Sequence, residues 1–339
     1  MGLKSRTFRY WIRCYCYNNN YILWIKRNCK GFVGNIILIV SIPYILLCSI
    51  FSILYEEIYG KRRINKLMTE EQSRNFLHEI AIVAIAKNEG AYVKEWIEYH
   101  RLVGINKFYF YDNESNDDTF EVLMPYIESK IVEYVFISGK SKQLDAYDDA
   151  IRKHKDECRW MAFIDLDEYL FPMQPLKPIH EIVNRLVLKA GKGAAGIGVN
   201  WAIFGSSYYT NTPEGLITKN FIRRGENTHW LNYHIKTICN PRLVKKYISP
   251  HYPLYKLGAY SISESEGKRI YGWFCWSVRY SYIRINHYFT KSKEQFLAKR
   301  NRGLADRLGQ YELEKFDIYD LNDIIDKSME IYVKKMTEK

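Results

Sequence analysis

The chain has 339 residues, of which 47% are hydrophobic and 16% aromatic, so it can fill a sizeable core and is not a disordered protein. Its net charge of +12 suggests nucleic-acid binding, but residues 1–66 carry eleven lysines and arginines against two glutamates, so nine of the twelve net positive charges lie there. We therefore expect this segment to meet a membrane lipid surface and no nucleic acid. Only Cys158, Cys239 and Cys275 fall beyond it, which favours neither a disulfide framework nor a zinc site.

The amino-terminal segment, residues 1–66, is predicted to associate with a membrane. Basic and aromatic residues are interleaved over residues 1–30, a composition that suits the interface between lipid and water. Residues 31–54 carry no formal charge and are numerous enough for a helix to cross a hydrocarbon layer of about 30 Å. Basic residues on both flanks and Pro43 within the stretch also permit a re-entrant hairpin, so both arrangements stay open. Residues 67–79 are predicted to be a linker.

From residue 80 onward, short apolar runs alternate with stretches of helical periodicity. Strands are predicted at residues 80–86, 107–111, 131–137 and 160–164, and helices at residues 91–103, 119–127 and 143–154. Such alternation is typical of an α/β fold with a mostly parallel sheet and helices on both faces. The sequence contains neither the glycine-rich dinucleotide fingerprint after the first strand nor a P-loop, so a site for a sugar nucleotide fits better.

Polar residues follow three of the predicted strands. Asn88 and Glu89 follow the first, Asp112 follows the second, and Asp165 and Asp167 follow the fourth. Because ligands of such sheets bind outside the carboxyl ends of the strands, we expect these side chains to form one site. Side chains two residues apart on a strand point the same way, so Asp165 and Asp167 could both bind one cation. A counter-charge in place of a metal, or acids simply in contact with solvent, remain alternatives.

Several motifs occur in order along this part of the chain. They are residues 87–100 (KNEGAYVKEWIEYH), 111–119 (YDNESNDDT), 163–169 (FIDLDEY), 201–207 (WAIFGSS) and 285–292 (INHYFTKS), the last followed by Lys299 and Arg302-Gly303. Taken together they resemble glycosyltransferase family 92, a relative of the family 2 glycosyltransferases. The resemblance covers roughly residues 80–303 and does not extend to the amino-terminal segment.

The resemblance implies a glycosyltransferase A-type fold, Rossmann-like with a mostly parallel central sheet, in residues 80–303. It also implies inverting transfer of a sugar from a nucleotide-sugar donor, expected to be a UDP-sugar, to a glycan or lipid-linked saccharide acceptor. By position, Asp165 and Asp167 would bind Mn²⁺ or Mg²⁺ that bridges the donor diphosphate. His287 would be a third metal ligand or a phosphate contact.

The remaining candidate residues are assigned to a donor side, an acceptor side and a base. The residues expected to hold the nucleoside and diphosphate are Asn88, Glu89, Asp112 and Lys291. An inverting transfer needs a base to deprotonate the acceptor hydroxyl, and the candidates are Glu168, Glu214 and Glu226. The aromatic side chains that could stack on the acceptor sugar are Trp201, Phe204 and Trp230. The family pattern also has a histidine after the acceptor segment, at a position comparable with His251.

Residues 304–339 are expected to form a helical tail, because apolar residues over 304–335 recur at roughly helical spacing, with Gly309 as a point where the helix can break. The composition favours a bacterial protein, for which we expect an inner-membrane location with the catalytic domain facing the cytoplasm. Together with the resemblance, this implies a role in polysaccharide or lipopolysaccharide biosynthesis. A Golgi membrane protein with a lumenal domain is the alternative location. A membrane-tethered binding or scaffold module with a degenerate nucleotide-sugar site is the alternative function.

Overall fold

The computed structural model describes residue 25 and residues 31–72, 74–303 and 309–338. Two helices precede the sheet, α1 (Gly31–Tyr55) and α2 (Lys61–Gln72), joined by a π-helical turn. The uncharged stretch is one continuous helix through Pro43, so the re-entrant hairpin is not formed. Among the residues described, one helix contains a stretch, Gly31–Phe51, that is long and apolar enough to cross a membrane, judged by length and composition alone.

The first half of the sheet region alternates strands and helices, as the sequence predicts. Its elements are β1 (His78–Ala86), α3 (Gly90–Leu102), β2 (Phe108–Asp112), α4 (Thr119–Glu128), β3 (Val132–Phe136), α5 (Gln143–His154) and β4 (Cys158–Phe163). Every predicted strand and helix of this half is present, and each end lies within about two residues of its predicted position, the usual uncertainty of helix and strand ends.

The second half is built mainly of strands. Its helices are α6 (Ile179–Ala190), α7 (Ile217–Asn220), α8 (Lys293–Arg302), α9 (Glu314–Tyr319) and α10 (Glu330–Thr337). Its strands are β5 (Glu168–Pro172), β6 (Ala194–Ile203), β7 (Arg223–Arg224), β8 (Ile235–Cys239), β9 (Val244–Ser249), β10 (Tyr252–Tyr255), β11 (Tyr260–Ser263), β12 (Ile283–His287) and β13 (Ile324–Ile325).

Nine strands form one sheet in the order β3-β2-β1-β4-β8-β6-β12-β5, with β11 also paired to β6. The pairs within β1 to β4 are parallel, as are those of β6 with β11 and β12. Strand β8 is antiparallel to both β4 and β6, and β5 is antiparallel to β12. The protein is therefore a mixed α/β fold: β1 to β4 are parallel as predicted, whereas β8 inside the sheet and β5 at its edge are antiparallel to their neighbours.

Helices cover both faces of the sheet. Successive side chains of a strand point to opposite faces, so each central strand contributes residues to two cores. In β1, Ile82 and Ala84 pack into one core with residues of α3, α4 and α6. Val83 and Ile85 pack into a second core with residues of α5. This two-sided burial explains why β1 is an unbroken apolar run in the sequence.

Helix α2 is docked onto the sheet region. Ile64 is buried against Leu243 and Ala259, and the Glu71 carboxylate lies 2.6 Å from Nε of Arg242. Arg242 is itself buried and also donates hydrogen bonds to the backbone carbonyl oxygens of residues 155, 158 and 159. The apolar helix is thus connected to the domain through a packed, ion-paired helix.

Only part of the tail that the sequence predicts to be helical, residues 304–339, is helical among the residues described. Residues 304–308 lie outside the described part of the chain, and the rest forms α9, β13 and α10. Strand β13 pairs antiparallel with β7. Next to it, the Asp326 carboxylate lies 2.6 Å from Nε of Arg224 and 2.9 Å from Nη1 of Arg284. These two ion pairs hold an extended segment where the local apolar spacing favoured a helix.

Candidate functional site

A cleft of about 340 Å³ opens at the carboxyl ends of the central strands, where ligands of α/β sheets bind. The side chains and backbone that line it are those of Ile85, Ala86, Lys87, Glu89, Asn113, Gln143, Asp165, Leu166, Asp167, Trp201, His234, Pro250, His251, His287, Phe289, Lys299, Arg302, Gly303, Tyr311, Lys315 and Tyr319. Of the residues selected from the sequence, Glu89, Asp165, Asp167, Trp201 and His287 are therefore brought together in one place.

The two aspartates follow β4, as predicted, but they lie in a turn and not on a strand. Strand β4 ends at Phe163, β5 begins at Glu168, and the backbone N–H of Glu168 donates to the carbonyl oxygen of Asp165 at 3.1 Å. The chain must turn here because β4 pairs with β1 whereas β5 pairs with β12, at the far end of the sheet. The alternation argument for a shared cation therefore does not hold.

Asp165 is held by an amide and an ammonium. Its Oδ1 accepts a hydrogen bond from Nε2 of Gln143 at 2.8 Å, and its Oδ2 accepts one from Nζ of Lys236 at 2.9 Å. The Lys236 side chain is 1% exposed, and its Nζ also lies 3.6 Å from Oε2 of Glu168. Asp165 is thus charge-compensated by a buried lysine, the counter-charge that the sequence left open as an alternative.

Asp167 has its own set of partners. Nζ of Lys299 makes an ion pair with Oδ2, and Nε2 of His287 lies 3.6 Å from Oδ1. Burial pushes the pKa of Asp167 upward, but the positive charge of Lys299 and the adjacent His287 hold that pKa well below its usual range. Burial also lowers the pKa of His287, against the opposing effect of Asp167. Asp167 is consequently an ionised carboxylate facing the cleft beside an imidazole.

Glu168 lies behind the aspartates and not in the cleft. Its side chain is fully buried in β5, and its Oε2 accepts a hydrogen bond from the backbone N–H of Asp165 at 2.9 Å. Burial raises the pKa of Glu168 to about 8, in spite of the neighbouring Lys236. In this position Glu168 shapes the turn that carries Asp165, and its side chain is not part of the cleft lining.

Of the four donor-side candidates, one lines the cleft and the other three lie outside its lining. Glu89 lines the cleft, whereas Asn88, Asp112 and Lys291 do not. Asn88 has a left-handed backbone (φ 54°), and its side-chain oxygen accepts from the N–H of residue 116. Asp112 is buried and accepts from Tyr134 Oη at 2.7 Å. Lys291 is buried with its ammonium 4.5 Å from the ring centre of Tyr92, so these three support the loops around the cleft.

Helix α8 contributes two cations to the cleft. The helix begins with a capping box in which Ser292 and Gln295 each bond the other's backbone N–H, and its last turn ends before Gly303 at φ 86°. This places Lys299 and Arg302 on the cleft wall. Arg302 Nη2 lies 2.8 Å from Oε1 of Glu89, and its Nη1 donates to the carbonyl oxygens of residues 87 and 88. The carboxyl-terminal end of the domain is thereby joined to the loop after β1.

The acceptor-side candidates are dispersed. Trp201 lines the cleft, with its ring centre 4.4 Å from that of His287. Phe204 is fully buried against Tyr288 and belongs to the core, which corrects its assignment to the acceptor. Outside the cleft lining, Glu214 and Glu226 lie on surface loops, and Trp230 is the exposed first residue of a short 3-10 helix, Trp230–Tyr233. The two glutamates are therefore not brought to the site as bases.

Two other histidines line the cleft beside Trp201. Nδ1 of His251 lies 2.8 Å from the carbonyl oxygen of Ile235, and Nδ1 of His234 lies 3.0 Å from that of Leu231. A carbonyl oxygen accepts only from a protonated nitrogen, so Nε2 is the basic atom of each ring. Burial lowers the pKa of His234 to about 4 and holds that of His251 well below its usual range, so both rings are neutral at neutral pH.

Sequence reasoning gave no role to several side chains that line the cleft or pair with its aspartates. Gln143, Lys236 and His234 were not selected, and Lys299 and Arg302 were noted only as part of a motif. A lysine within the buried strand β8 was the one local indication, because a buried ammonium requires a carboxylate partner. The others could be recognised only once the sheet order was known.

Comparisons of the sequence with known proteins point to one family. Residues 82–268 match the family model described as glycosyltransferase family 92. A family 92 protein of Ricinus communis is 29% identical over 149 residues, covering 43% of this chain and 26% of the relative. One of Arabidopsis thaliana is 24% identical over 260 residues, covering 73% of this chain and 41% of the relative. The chain thus spans well under half the length of either relative.

Solved structures give weaker similarities. Staphylococcus aureus TarS 1–349 in complex with UDP has a TM-score of 0.33 and 12% identity, over 49% of this chain and 47% of that one. Glucosyl-3-phosphoglycerate synthase of Mycobacterium tuberculosis, in complex with Mn²⁺, UDP-glucose and phosphoglyceric acid, has a TM-score of 0.27 and 20% identity, over 41% of this chain and 48% of that one.

Proposed function

The chain belongs to glycosyltransferase family 92, and from this premise we propose that it is a glycosyltransferase that moves a sugar from a nucleotide-sugar donor to a hydroxyl of a glycan or lipid-linked saccharide. We favour a UDP-sugar, transfer with inversion, and a glycosyltransferase A-type fold for residues 80–303. The observation that supports this most is the cleft itself, in which Asp167, His287, Lys299 and Arg302 meet at the carboxyl ends of the strands.

We propose that a divalent cation, Mn²⁺ or Mg²⁺, is bound between Asp167 and His287. A carboxylate oxygen suits both ions, and an imidazole nitrogen favours Mn²⁺ over Mg²⁺, which prefers oxygen ligands. The two atoms that face each other, Oδ1 and Nε2, are 3.6 Å apart. No group of three or more His, Cys, Asp or Glu side chains fit to hold a metal occurs in the described ranges. Such a site therefore fits an ion that takes its other ligands from the donor diphosphate and from water. When bound, the ion would stabilise the charge that develops on the leaving diphosphate.

The remaining roles follow from charge and position. Lys299 and Arg302 are two cleft cations that can meet a diphosphate, and Glu89 holds Arg302 in place. Trp201 offers an aromatic surface in the same cleft. We move the role of base from the glutamates to His251 or His234, because both rings line the cleft, are neutral and carry an unprotonated Nε2 that can take the proton of the acceptor hydroxyl.

We further propose that α1 associates the enzyme with a membrane. Much of its apolar surface is exposed, including Phe32, Val40 and Phe51, and the structure of the described residues leaves these side chains uncovered. The cytoplasmic face of a bacterial inner membrane remains the favoured location, with a Golgi lumen as the alternative. Protease digestion of the domain from outside intact bacterial cells would contradict the cytoplasmic placement.

A donor screen tests the function directly. Wild-type protein should release UDP from a UDP-sugar in the presence of Mn²⁺ and an acceptor, and EDTA should abolish the release. His251→Gln or His234→Gln should lower transfer while leaving UDP binding intact. The matched controls Glu214→Gln and Glu226→Gln, on loops outside the cleft lining, should retain the wild-type rate. If no UDP-sugar is turned over and UDP with Mn²⁺ does not bind, the scaffold-module hypothesis replaces this one.

A further inference from the structure

Lys299 occupies one side of Asp167 in the cleft. Its Nζ forms the ion pair with Oδ2 and also donates to the carbonyl oxygen of Phe289 at 3.2 Å. The same ammonium lies 3.9 Å from the centre of the Phe289 ring. The Lys299 and Asp167 side chains are 14% and 8% exposed, so each buried charge depends on the other for stabilisation.

Lys236, the lysine that pairs with Asp165, is placed differently from Lys299. Lys236 is 1% exposed and lies between two carboxylates, 2.9 Å from Asp165 and 3.6 Å from Glu168. Its departure would leave both acids without compensation. Lys299 lines the open cleft together with Asp167, whereas Lys236 does not line it. Of these two ammonium groups, only that of Lys299 has space to move into.

We propose that Lys299 is a resident counter-ion of Asp167 that a divalent cation displaces when it binds. The proposal rests on the metal-dependent transfer proposed above. An ammonium and a dication on one carboxylate repel each other strongly in a poorly hydrated site, so they compete for Asp167. On the opposite oxygen, His287 is already placed as the second ligand. The flexible four-carbon stem of lysine lets Nζ leave Asp167 and remain on the cleft wall formed by α8.

This exchange has a consequence for the order of binding. Without a donor, the released ammonium has no phosphate partner, and the cation must bind at the expense of the ion pair between Lys299 and Asp167. A donor diphosphate provides that partner on the same wall of the cleft. The affinity for the cation should therefore rise when a nucleoside diphosphate is present, and the affinity for the nucleotide should rise by the same factor when the cation is present.

The test is the binding of Mn²⁺ alone, without donor, to the full-length protein, measured by isothermal titration calorimetry. Lys299→Met, which removes the competing charge, should bind Mn²⁺ at least about tenfold more tightly than the wild type. Lys299→Arg, which keeps the charge, should bind with wild-type affinity. Lys293→Met, on the same helix but outside the cleft lining and the Asp167 ion pair, should change the affinity by no more than about twofold.

Lys299→Gln serves as a second neutral variant if Lys299→Met does not fold. Equal or weaker Mn²⁺ binding by the neutral variants would overturn the role of Lys299. If the wild type binds Mn²⁺ and the neutral variants bind no tighter, only this inference fails. If the wild type transfers sugar undiminished in EDTA and binds no Mn²⁺, the metal dependence of the proposed function fails as well.

Discussion

Replacing Asp167 by asparagine should destabilise the protein as well as inactivate it. The substitution removes the carboxylate charge and leaves the ammonium of Lys299, only 14% exposed, beside a neutral amide. Removing one partner of a buried ion pair costs about 3–5 kcal/mol. Because a lysine stem can bend toward the cleft, we expect the lower end of that range, about 3 kcal/mol. A loss of activity in Asp167→Asn alone would therefore mix a stability effect with a chemical one.

The double variant Asp167→Asn/Lys299→Met separates the two effects. It replaces the stranded ammonium with an apolar side chain of similar length against the Phe289 ring, so we expect it to recover about 2 kcal/mol relative to Asp167→Asn. Sugar transfer should remain absent, because the carboxylate is still missing. The free energies are measured by urea unfolding in EDTA, followed by tryptophan fluorescence.

An exposed ion pair provides the matched control. Asp145 and Lys142 are 2.9 Å apart with side chains 63% and 34% exposed, and Asp145→Asn should change the free energy of unfolding by less than about 1 kcal/mol. The reasoning is refuted if Asp167→Asn costs no more than this control, or if the double variant is no more stable than the single one.

Two further predictions concern parts of the fold away from the cleft. Glu71→Gln should lower the free energy of unfolding by about 3 kcal/mol, because Arg242 is 6% exposed and loses its carboxylate; unchanged urea unfolding would contradict a buried pair. Arg284 and Arg224 outweigh the effect of burial and hold the pKa of Asp326 well below its usual range. The ionised carboxylate therefore stabilises the folded protein at any pH above about 3.9, the pKa of an aspartate in the unfolded chain. This stability is lost as the pH falls from there toward the pKa of Asp326 in the folded protein. Between pH 6 and pH 3 the free energy of unfolding should fall more steeply for the wild type than for Asp326→Asn. Parallel curves of this free energy against pH would contradict the prediction.

The local sequence pattern was sufficient to predict the strands and helices in the first half of the sheet region. Periodicity predicts the strands and helices from β1 to β4, because each of these elements buries its own apolar residues against the sheet. For residues 309–338 the same reasoning predicts helix, which holds for α9 and α10 but not for the strand between them. There, β13 is held by pairing with β7 and by the ion pairs of Asp326 with Arg224 and Arg284, contacts that no local period encodes.

For the site, the residues that follow strands were predictable and their partners were not. The sequence by itself determined that acids follow β4, that α1 is uncharged and that the ordered motifs resemble one glycosyltransferase family. Only the tertiary structure decided that Asp165 meets a lysine 71 positions away and Asp167 one 132 positions away. The physical reason is that these pairs depend on the sheet order and on the packing of α8, and such long-range contacts leave no periodic trace in the chain.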